Sequence, residues 1–154
     1  MPEFLGLEGG FPPAGSGLPI GNLTSQWWGN HYLSGFDHFI KRELEIPHYQ
    51  RYMDDAALFA DSRSQLVEAR EAAAEWLATE RRLRLKNPQT MPKATRGRFT
   101  YLGYRVSPAG IQPSRTMLER MRQRMTALVL AGDVERIERS VASYRGVVRF
   151  GEAL

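Results

Sequence analysis

Residues 49–60 read Tyr-Gln-Arg-Tyr-Met-Asp-Asp-Ala-Ala-Leu-Phe-Ala. Only Asp54 and Asp55 separate two short apolar runs, residues 49–53 and 56–60, and this pattern predicts a tight β-hairpin. Neighbouring carboxylates at a chain reversal repel each other unless a cation lies beside them, and Mg²⁺ prefers oxygen ligands. An Asp-Asp pair is also ordinary turn chemistry, so the surrounding sequence has to decide between a turn and a metal site.

Helical periodicity flanks the hairpin on both sides. Apolar residues recur every three or four positions from Thr24 to Glu43, which predicts a long helix with one buried face. After the hairpin, Ser62 and Gln65 form a capping-box pattern that predicts a second helix, ending near Arg81. A hairpin between two helices is typical of the α+β fold class.

The second half of the chain contains a strand pattern followed by helical patterns. Residues 99–106 are rich in β-forming side chains and predict a strand, after which Gly110 predicts a turn. Ser114 can cap an amphipathic helix that Gly132 ends, and Asp133 can cap a final helix.

Glycine and proline are dense at the beginning of the chain. We therefore expect residues 1–16 to be a disordered or loop tail. The patterns together predict an α+β body over residues 17–110 and a helical region over residues 111–154.

The composition limits the class of protein. The chain has 154 residues, 42% of them hydrophobic, which suits one domain or a piece of a larger one. It contains no Cys, which excludes disulfide scaffolds, thiolate zinc sites and a Cys nucleophile. No apolar run is long enough to span a bilayer and the N-terminus lacks a basic signal sequence, so we expect a cytoplasmic protein without membrane contact.

The formal net charge of +4 is distributed unevenly. Residues 1–80 have a net charge of −7 and residues 81–124 a net charge of +11. Of the 21 basic residues 18 are Arg, whose planar guanidinium suits phosphate oxygens. The middle segment therefore indicates a phosphate-rich partner, with a solvated helix face as the alternative of equal weight.

Residues 17–26 read Gly-Leu-Pro-Ile-Gly-Asn-Leu-Thr-Ser-Gln, and after the predicted long helix comes the Tyr-Met-Asp-Asp of residues 52–55. This order resembles the reverse transcriptases, in which a Gly-containing loop that opens a helix precedes the aspartate hairpin of the palm. Residues 83–90 look like a later palm strand of that family, and residues 99–104 look like its Leu-Gly primer-gripping hairpin. The resemblance covers residues 17–154.

Two details bear on the subfamily. Ile20-Gly21 and Ser25-Gln26 are similar to enzymes of diversity-generating retroelements and their bacterial relatives, whereas group II intron enzymes tend to have Gln-Gly and Ser-Pro there. Residues 140–146 resemble the helical thumb of such bacterial enzymes, although retron and intron origins stay open. The resemblance implies the C-terminal palm, residues 17–110, and thumb, residues 111–154, of a right-hand polymerase.

The chemistry that the resemblance implies is RNA-directed DNA polymerisation. A primer 3′-hydroxyl attacks the α-phosphate of a deoxynucleoside triphosphate, and two Mg²⁺ ions stabilise the attacking and leaving oxygens. In this reading Asp54 is the main catalytic metal ligand of the hairpin and Asp55 is its acidic neighbour. An RNA template, a DNA primer and deoxynucleoside triphosphates are the implied partners.

The resemblance also implies residues that bind the template and nucleotide. Tyr52 and Met53 would lie near the primer terminus, and Gly21 would let the backbone approach the nascent base pair closely. Ser25 and Gln26 would line the template and nucleotide side, with a helix cap as the equally weighted alternative for Ser25.

Primer and duplex contacts are implied further along the chain. Leu102 and Gly103 would position the primer strand, with plain strand packing as the alternative for Leu102. The basic segment of residues 81–124 would meet the phosphate backbone of an RNA–DNA duplex. The side chains assigned to that contact are Arg81, Arg82, Arg84, Lys86, Arg115 and Arg122.

Two departures from the family pattern change the expectation of activity. The family needs a third carboxylate on a strand upstream of the loop, but Glu3 and Glu8 are the only acids before Gly21 and neither is expected on that strand. The fingers are not recognisable either, and Gln89 stands before Thr90 where the family usually has Lys. We therefore expect a reverse transcriptase portion with an incomplete Mg²⁺ site, inactive alone, that needs an N-terminal portion or a second chain. The alternative is a non-catalytic nucleic-acid-binding module derived from such an enzyme.

Overall fold

The structure, a computed structural model, describes residues 2–8, 17 and 22–152, with side chains as far as residue 149. The chain divides into two compact units, which meet in sequence at Ala94 and Thr95. Both units combine helices with antiparallel strands, and the α+β fold class is confirmed.

The first unit contains a four-stranded antiparallel sheet. Its strands are β1 (Glu3–Leu7), β2 (His48–Tyr52), β3 (Asp55–Ala60) and β4 (Lys93–Ala94), in the spatial order β2-β3-β1-β4. The predicted hairpin is therefore present as β2 and β3. It pairs on its β3 side with a strand from the beginning of the chain.

Two helices of the first unit follow the predicted periodicity. Helix α1 spans Leu23–His38 and continues as one π-helical turn over Phe39–Glu43, so the helical prediction there is confirmed. Helix α2 spans Arg63–Arg81, and the Ser62 hydroxyl accepts a hydrogen bond from the Gln65 backbone N–H at 3.3 Å, as the capping pattern predicts.

One face of this sheet forms the core with the two helices. Leu5 on β1 lies directly across from Leu58 on β3, and both side chains are fully buried. Ile40 and Leu66 from the helical segments close over them. Each such side chain contributes roughly 1.5–3 kcal/mol when it leaves water, so this apolar face anchors the sheet to the two helices.

The prediction of a loop tail over residues 1–16 is wrong at β1. The short apolar run Phe4-Leu5-Gly6-Leu7 is inserted between β3 and β4, where Phe4, Leu5 and Leu7 are buried. Tertiary pairing overrides the local glycine because residues 3–7 all pair with β3, and residues 3 and 4 also pair with β4. Residues 9–16 lie outside the described residues.

The second unit consists of a three-stranded meander and two helices. The strands are β5 (Phe99–Tyr101), β6 (Tyr104–Ser107) and β7 (Gly110–Pro113), and the helices are α3 (Arg115–Leu130) and α4 (Val134–Glu152). Ser114 Oγ accepts from the Met117 N–H and Asp133 Oδ1 from the Arg136 N–H, so both predicted caps are confirmed. Helix α4 packs against β7 and α3.

Three sequence predictions of extent are corrected here. The single strand expected over residues 99–106 is a hairpin, because Leu102 and Gly103 reverse the chain. The strand implied for residues 83–90 is absent apart from one bridge residue, Leu85, and Thr90 closes a turn on the Asn87 carbonyl instead. The compact units meet at residues 94 and 95 rather than at 110 and 111, because β5 to β7 fold together with α3 and α4.

No helix among the described residues combines the length and the apolar character that crossing a bilayer requires.

Candidate functional site

The carboxylate pair sits at the tip of the β2–β3 hairpin. Met53 and Asp54 form the turn, while Asp55 is already the first residue of β3 and lies across from Tyr52. The prediction that both carboxylates fall in the reversal is therefore corrected for Asp55. Asp54 is exposed and Asp55 half-buried, so the two side chains present different environments at one end of the sheet.

A third carboxylate lies next to this pair. The antiparallel register of β1 and β3 runs from Glu3 opposite Ala60 to Leu7 opposite Ala56, so its continuation sets Glu8 across from Asp55. Burial raises the pKa of Asp55, and the negative charges of Asp54 and Glu8 raise it further. Glu3 is on β1 and Glu8 follows it directly, which the prediction of a loop tail over residues 1–16 missed.

Glu8 is held by protein groups rather than left open. Its Oε2 atom is 3.2 Å from Lys86 Nζ and accepts a hydrogen bond of 3.2 Å from Asn87 Nδ2. The Lys86 backbone N–H donates to the Glu8 carbonyl at 3.1 Å. Lys86, assigned from the sequence to a nucleic-acid backbone, therefore balances part of the acidic charge around Asp55.

Arg51 ties the hairpin turn to helix α1. Its guanidinium grips both carboxylate oxygens of Asp37 at 2.7 Å, in the bidentate geometry that gives strong, directional pairs. The same group donates from Nη1 to the Met53 carbonyl at 2.7 Å and to Asn30 Oδ1 at 2.9 Å. The backbone that positions Asp54 is thereby hydrogen-bonded to a half-buried cation.

Tyr49 adds a hydrogen bond to the Arg51–Asp37 ion pair. The Tyr49 hydroxyl donates to Asp37 Oδ1 at 2.7 Å. Burial alone would raise the pKa of Asp37, but the hydrogen bonds from Arg51 and Tyr49 and the guanidinium charge outweigh it and lower that pKa. Burial and the neighbouring Asp37 carboxylate raise the pKa of Tyr49, so the phenol stays a donor.

Each unit has a hairpin turn that holds a bulky residue in left-handed backbone conformation. Met53 has a φ of 56°, and Leu102 has a φ of 50° beside Gly103 at 81°. In the Leu102–Gly103 turn both central residues have positive φ, which is the type I′ hairpin pattern that prefers Asn-Gly. In the Met53–Asp54 turn only the first central residue has positive φ, which matches type II′, where Gly is usual at that position. Met53 and Leu102 therefore occupy positions that cost roughly 1–3 kcal/mol of backbone strain, and such strain clusters at functional sites.

Gly103 is favoured at its position in the turn. A Cβ atom at this position would lie 2.7 Å from Met117 Cε on α3, in addition to the strain of its positive φ. The Gly103 carbonyl accepts from the Ser114 N–H at 2.9 Å, which links the turn to the start of α3. Leu102 itself is 36% exposed, so part of its side chain is open to a partner.

The predicted phosphate-binding residues divide into engaged and open side chains. Arg81 Nε donates to the Tyr32 carbonyl at 2.8 Å and its guanidinium lies over the Trp76 ring at 4.9 Å, so its charge serves the α1–α2 contact. Arg82 is the C-cap of α2 with a φ of 54°, and Arg84 is exposed. Arg115 is exposed and pairs with Glu119 at 2.8 Å.

Helix α3 presents the most open basic surface. Arg120, Arg122 and Arg124 are all exposed, and in the described part of the chain none of the three takes part in an ion pair. The sequence predicts that Arg122 contacts the phosphate backbone of a nucleic acid. It includes Arg120 and Arg124 only as part of the basic segment of residues 81–124. Three unpaired guanidinium groups on one helix suit a polyanion.

Of the residues predicted to line the template and nucleotide side, the structure describes Ser25 and Gln26. Asn22 is the N-cap of α1, so Ser25 lies inside the first turn and its alternative role as the cap is excluded. Ser25 is half-buried and Gln26 exposed. Gly21 lies outside the described residues.

The donor set at the hairpin suits a hard cation only in part. Asp54 and Asp55 offer carboxylate oxygens, and the negative charge that raises the pKa of Asp55 is charge that a bound cation would offset. Across the ranges that the structure describes, no group of three or more His, Asp or Glu side chains is arranged to hold a metal ion.

No protein-family model matches the chain, and no curated protein matches it. The functional interpretation therefore depends on the residues and their geometry.

Proposed function

We propose that the chain is a portion of an RNA-directed DNA polymerase that comprises part of the palm and the thumb. The observation that carries this proposal is the Asp54–Asp55 pair at the tip of a β-hairpin in an antiparallel sheet. The negative charges of Asp54 and Glu8 raise the pKa of Asp55. Paired carboxylates at the end of a rigid hairpin are a fitting holder for Mg²⁺. The motif order along the chain, from the Gly loop to the Leu-Gly turn, supports the same function.

The roles of individual residues follow from their positions. Asp54 and Asp55 would hold Mg²⁺, which when bound supplies charge stabilisation for deoxynucleotidyl transfer. Arg51 keeps the Met53 backbone, and with it Asp54, at a fixed place relative to α1. Tyr52, 62% exposed beside Asp55, offers an aromatic surface to the primer terminus.

Each unit adds its own nucleic-acid contacts under this proposal. In the second unit, the strained Leu102 turn would position a primer strand, and the open arginines of α3 would bind phosphates. In the first unit, Arg84 is an exposed candidate, whereas Arg81 and Lys86 are committed to protein partners.

The chain alone is predicted not to extend a primer. Only Asp54 and Asp55 are offered as metal ligands, and Glu8 is already paired with Lys86 and Asn87. Purified chain with Mg²⁺, an RNA template and a DNA primer should give no incorporation. Robust incorporation that disappears in Asp54→Ala would contradict this prediction.

Metal and duplex binding test the function directly. We expect Mn²⁺, used as a paramagnetic probe for an oxygen-ligand site, to broaden the NMR signals of residues 53–56 and 8, and Asp54→Asn with Asp55→Asn to abolish this effect. Asp133→Asn, which removes a carboxylate on the second unit, is the matched control and should leave the broadening intact. A fluorescent RNA–DNA hybrid should bind with strong salt dependence. Absence of both metal and hybrid binding would overturn the proposal.

A non-catalytic nucleic-acid-binding module is the second candidate, because the open arginines of α3 do not depend on the hairpin. It predicts hybrid binding that weakens in Arg122→Gln without site-specific Mn²⁺ broadening. Arg136→Gln, at an arginine 3.4 Å from Asp133, is the control for a general loss of charge. The DNA upstream of the Met1 codon separates the candidates further, since a strand motif with Asp followed by aromatic residues favours the enzyme.

A further inference from the structure

Helix α1 exposes a large apolar surface on the side turned away from the core. Leu23, Trp27 and Trp28 are 80%, 79% and 61% exposed, and they lie on adjacent turns of the helix. Phe36, nine residues after Trp27, points to the opposite side of the helix and is 3% exposed. Single exposed apolar residues are ordinary, but a contiguous group with two tryptophans is typical of an interaction surface. We call Leu23, Trp27 and Trp28 the α1 aromatic face.

The chemistry of this face selects its partner. No Asp, Glu, Lys or Arg occurs from Leu23 to Phe36. A nucleic-acid backbone requires Lys or Arg to neutralise phosphates, and an interfacial membrane helix normally carries them on its polar side. A neutral apolar face therefore suits an equally neutral, apolar polypeptide surface.

We propose that the α1 aromatic face pairs with the same face of a second copy of this chain. An isologous contact brings identical patches together, so an uncharged apolar patch is self-complementary and meets no like-charge repulsion. The required partner surface is present at the same concentration as the chain itself. The pairing does not depend on the proposed polymerase function.

The area available sets the strength of the pair. An aromatic side chain buries roughly 150–250 Å², so two tryptophans and a leucine supply on the order of 500 Å² per copy. A total near 1,000 Å² lies at the lower bound of specific protein interfaces. We therefore expect a weak, reversible dimer.

Sedimentation analysis of the full chain over a micromolar concentration series tests the pairing. Trp27→Glu should raise the dimer dissociation constant at least about tenfold, as expected for a central tryptophan, while an unchanged circular dichroism spectrum confirms that the helix is intact. Thr24→Lys, at an exposed position on the same side of α1, keeps the apolar side chains but adds like charges, and it should weaken the dimer as well. Leu130→Glu is the matched control, because Leu130 is 84% exposed on α3 and should not affect the dimer.

Three outcomes would overturn the proposal. A monomer throughout the concentration series contradicts it. An effect of Leu130→Glu equal to that of Trp27→Glu would mean that association uses another surface. A monomer whose tryptophan fluorescence is quenched by a single-stranded oligonucleotide, in wild type but not in Trp27→Glu, would assign the face to nucleic acid instead.

Discussion

Two residues in the hairpin turns have side chains that do not suit their backbone conformation. Met53 and Leu102 hold positive φ angles where Gly or Asn is usual. A protein selected for stability alone would place small residues there, because left-handed backbone is strained for residues with large side chains. Under the proposed function, these side chains are retained for contact with primer or nucleotide.

Leu102→Asn should stabilise the chain by about 1 kcal/mol, because Asn-Gly is the preferred pair for a type I′ turn. Urea unfolding measures the gain. The same variant should weaken binding of an RNA–DNA hybrid if the leucine touches the primer. Leu118→Asn is the control, since Leu118 is 37% exposed in helix α3 and its replacement should lower stability slightly. A less stable Leu102→Asn chain would contradict the strain assigned to this turn.

Asp37→Asn should lower the free energy of unfolding by about 2 kcal/mol at neutral pH, because it breaks a bidentate pair with the largely buried Arg51. The folded-state pKa of Asp37 lies below its ordinary value of 3.8. The stabilisation is therefore present above that value and is lost as the pH falls through the folded-state pKa. The difference between variant and wild type should shrink in acid, as urea unfolding across pH will show.

If the difference in unfolding free energy between Asp37→Asn and wild type did not change with pH, the Asp37 carboxylate would not be its cause. The exposed Glu43 supplies the matched control, since Glu43→Gln removes a carboxylate without an ion pair among the described residues. It should change stability by less than about 0.5 kcal/mol at any pH.

At the scale of the elements, an arginine links α1 and α2 in addition to the packing of Trp76 on Phe36 and Phe39. Arg81 lies over the Tyr32 and Trp76 rings at 5.4 and 4.9 Å, and Tyr32 returns a hydrogen bond of 2.7 Å to the Arg81 carbonyl. Gly35 makes room for this contact, since a Cβ there would lie 2.6 Å from Arg81 Nη2. An arginine in a basic segment is thus a packing residue of the first unit.

Arg81→Ala should reduce stability by about 1–2 kcal/mol through loss of ring stacking and a hydrogen bond. Arg84→Ala, three residues later and exposed, should leave stability within about 0.5 kcal/mol and reduce hybrid affinity instead. Thermal unfolding and fluorescence anisotropy separate the two effects. Equal destabilisation by both variants would contradict the assignment of Arg81 to packing.

Across the whole molecule, burial is concentrated in the first unit. Of the buried apolar side chains that the structure describes, Phe99 alone belongs to the second unit. Helix α3 buries none of its residues. Because apolar burial is the main stabilising term, the second unit should be the less stable of the two.

Unfolding should therefore not be a single two-state transition. All three tryptophans, Trp27, Trp28 and Trp76, belong to the first unit, whereas circular dichroism reports helices of both units. We expect the midpoint by circular dichroism in urea to precede the midpoint by tryptophan fluorescence. Coincident midpoints would show that the two units unfold together.

The sequence by itself determined the helices and turns that depend on interactions between residues close together in the chain. The hairpin at Asp54, the helix after Ser62 and the helix after Ser114 were predicted because caps, turns and periodicity act within a few residues. The acidic first half and the basic middle segment were equally visible.

Only the tertiary structure decided which segments meet. It inserted the glycine-containing run at Glu3–Leu7 between β3 and β4, set Glu8 beside Asp55, and committed Arg51, Arg81 and Lys86 to protein partners. Strand pairing and ion pairing join residues far apart in sequence, so their free energy depends on distances that periodicity and composition do not encode. The carboxylate pair was therefore predictable as a motif, while its neighbours and the backbone strain at Met53 and Leu102 were not.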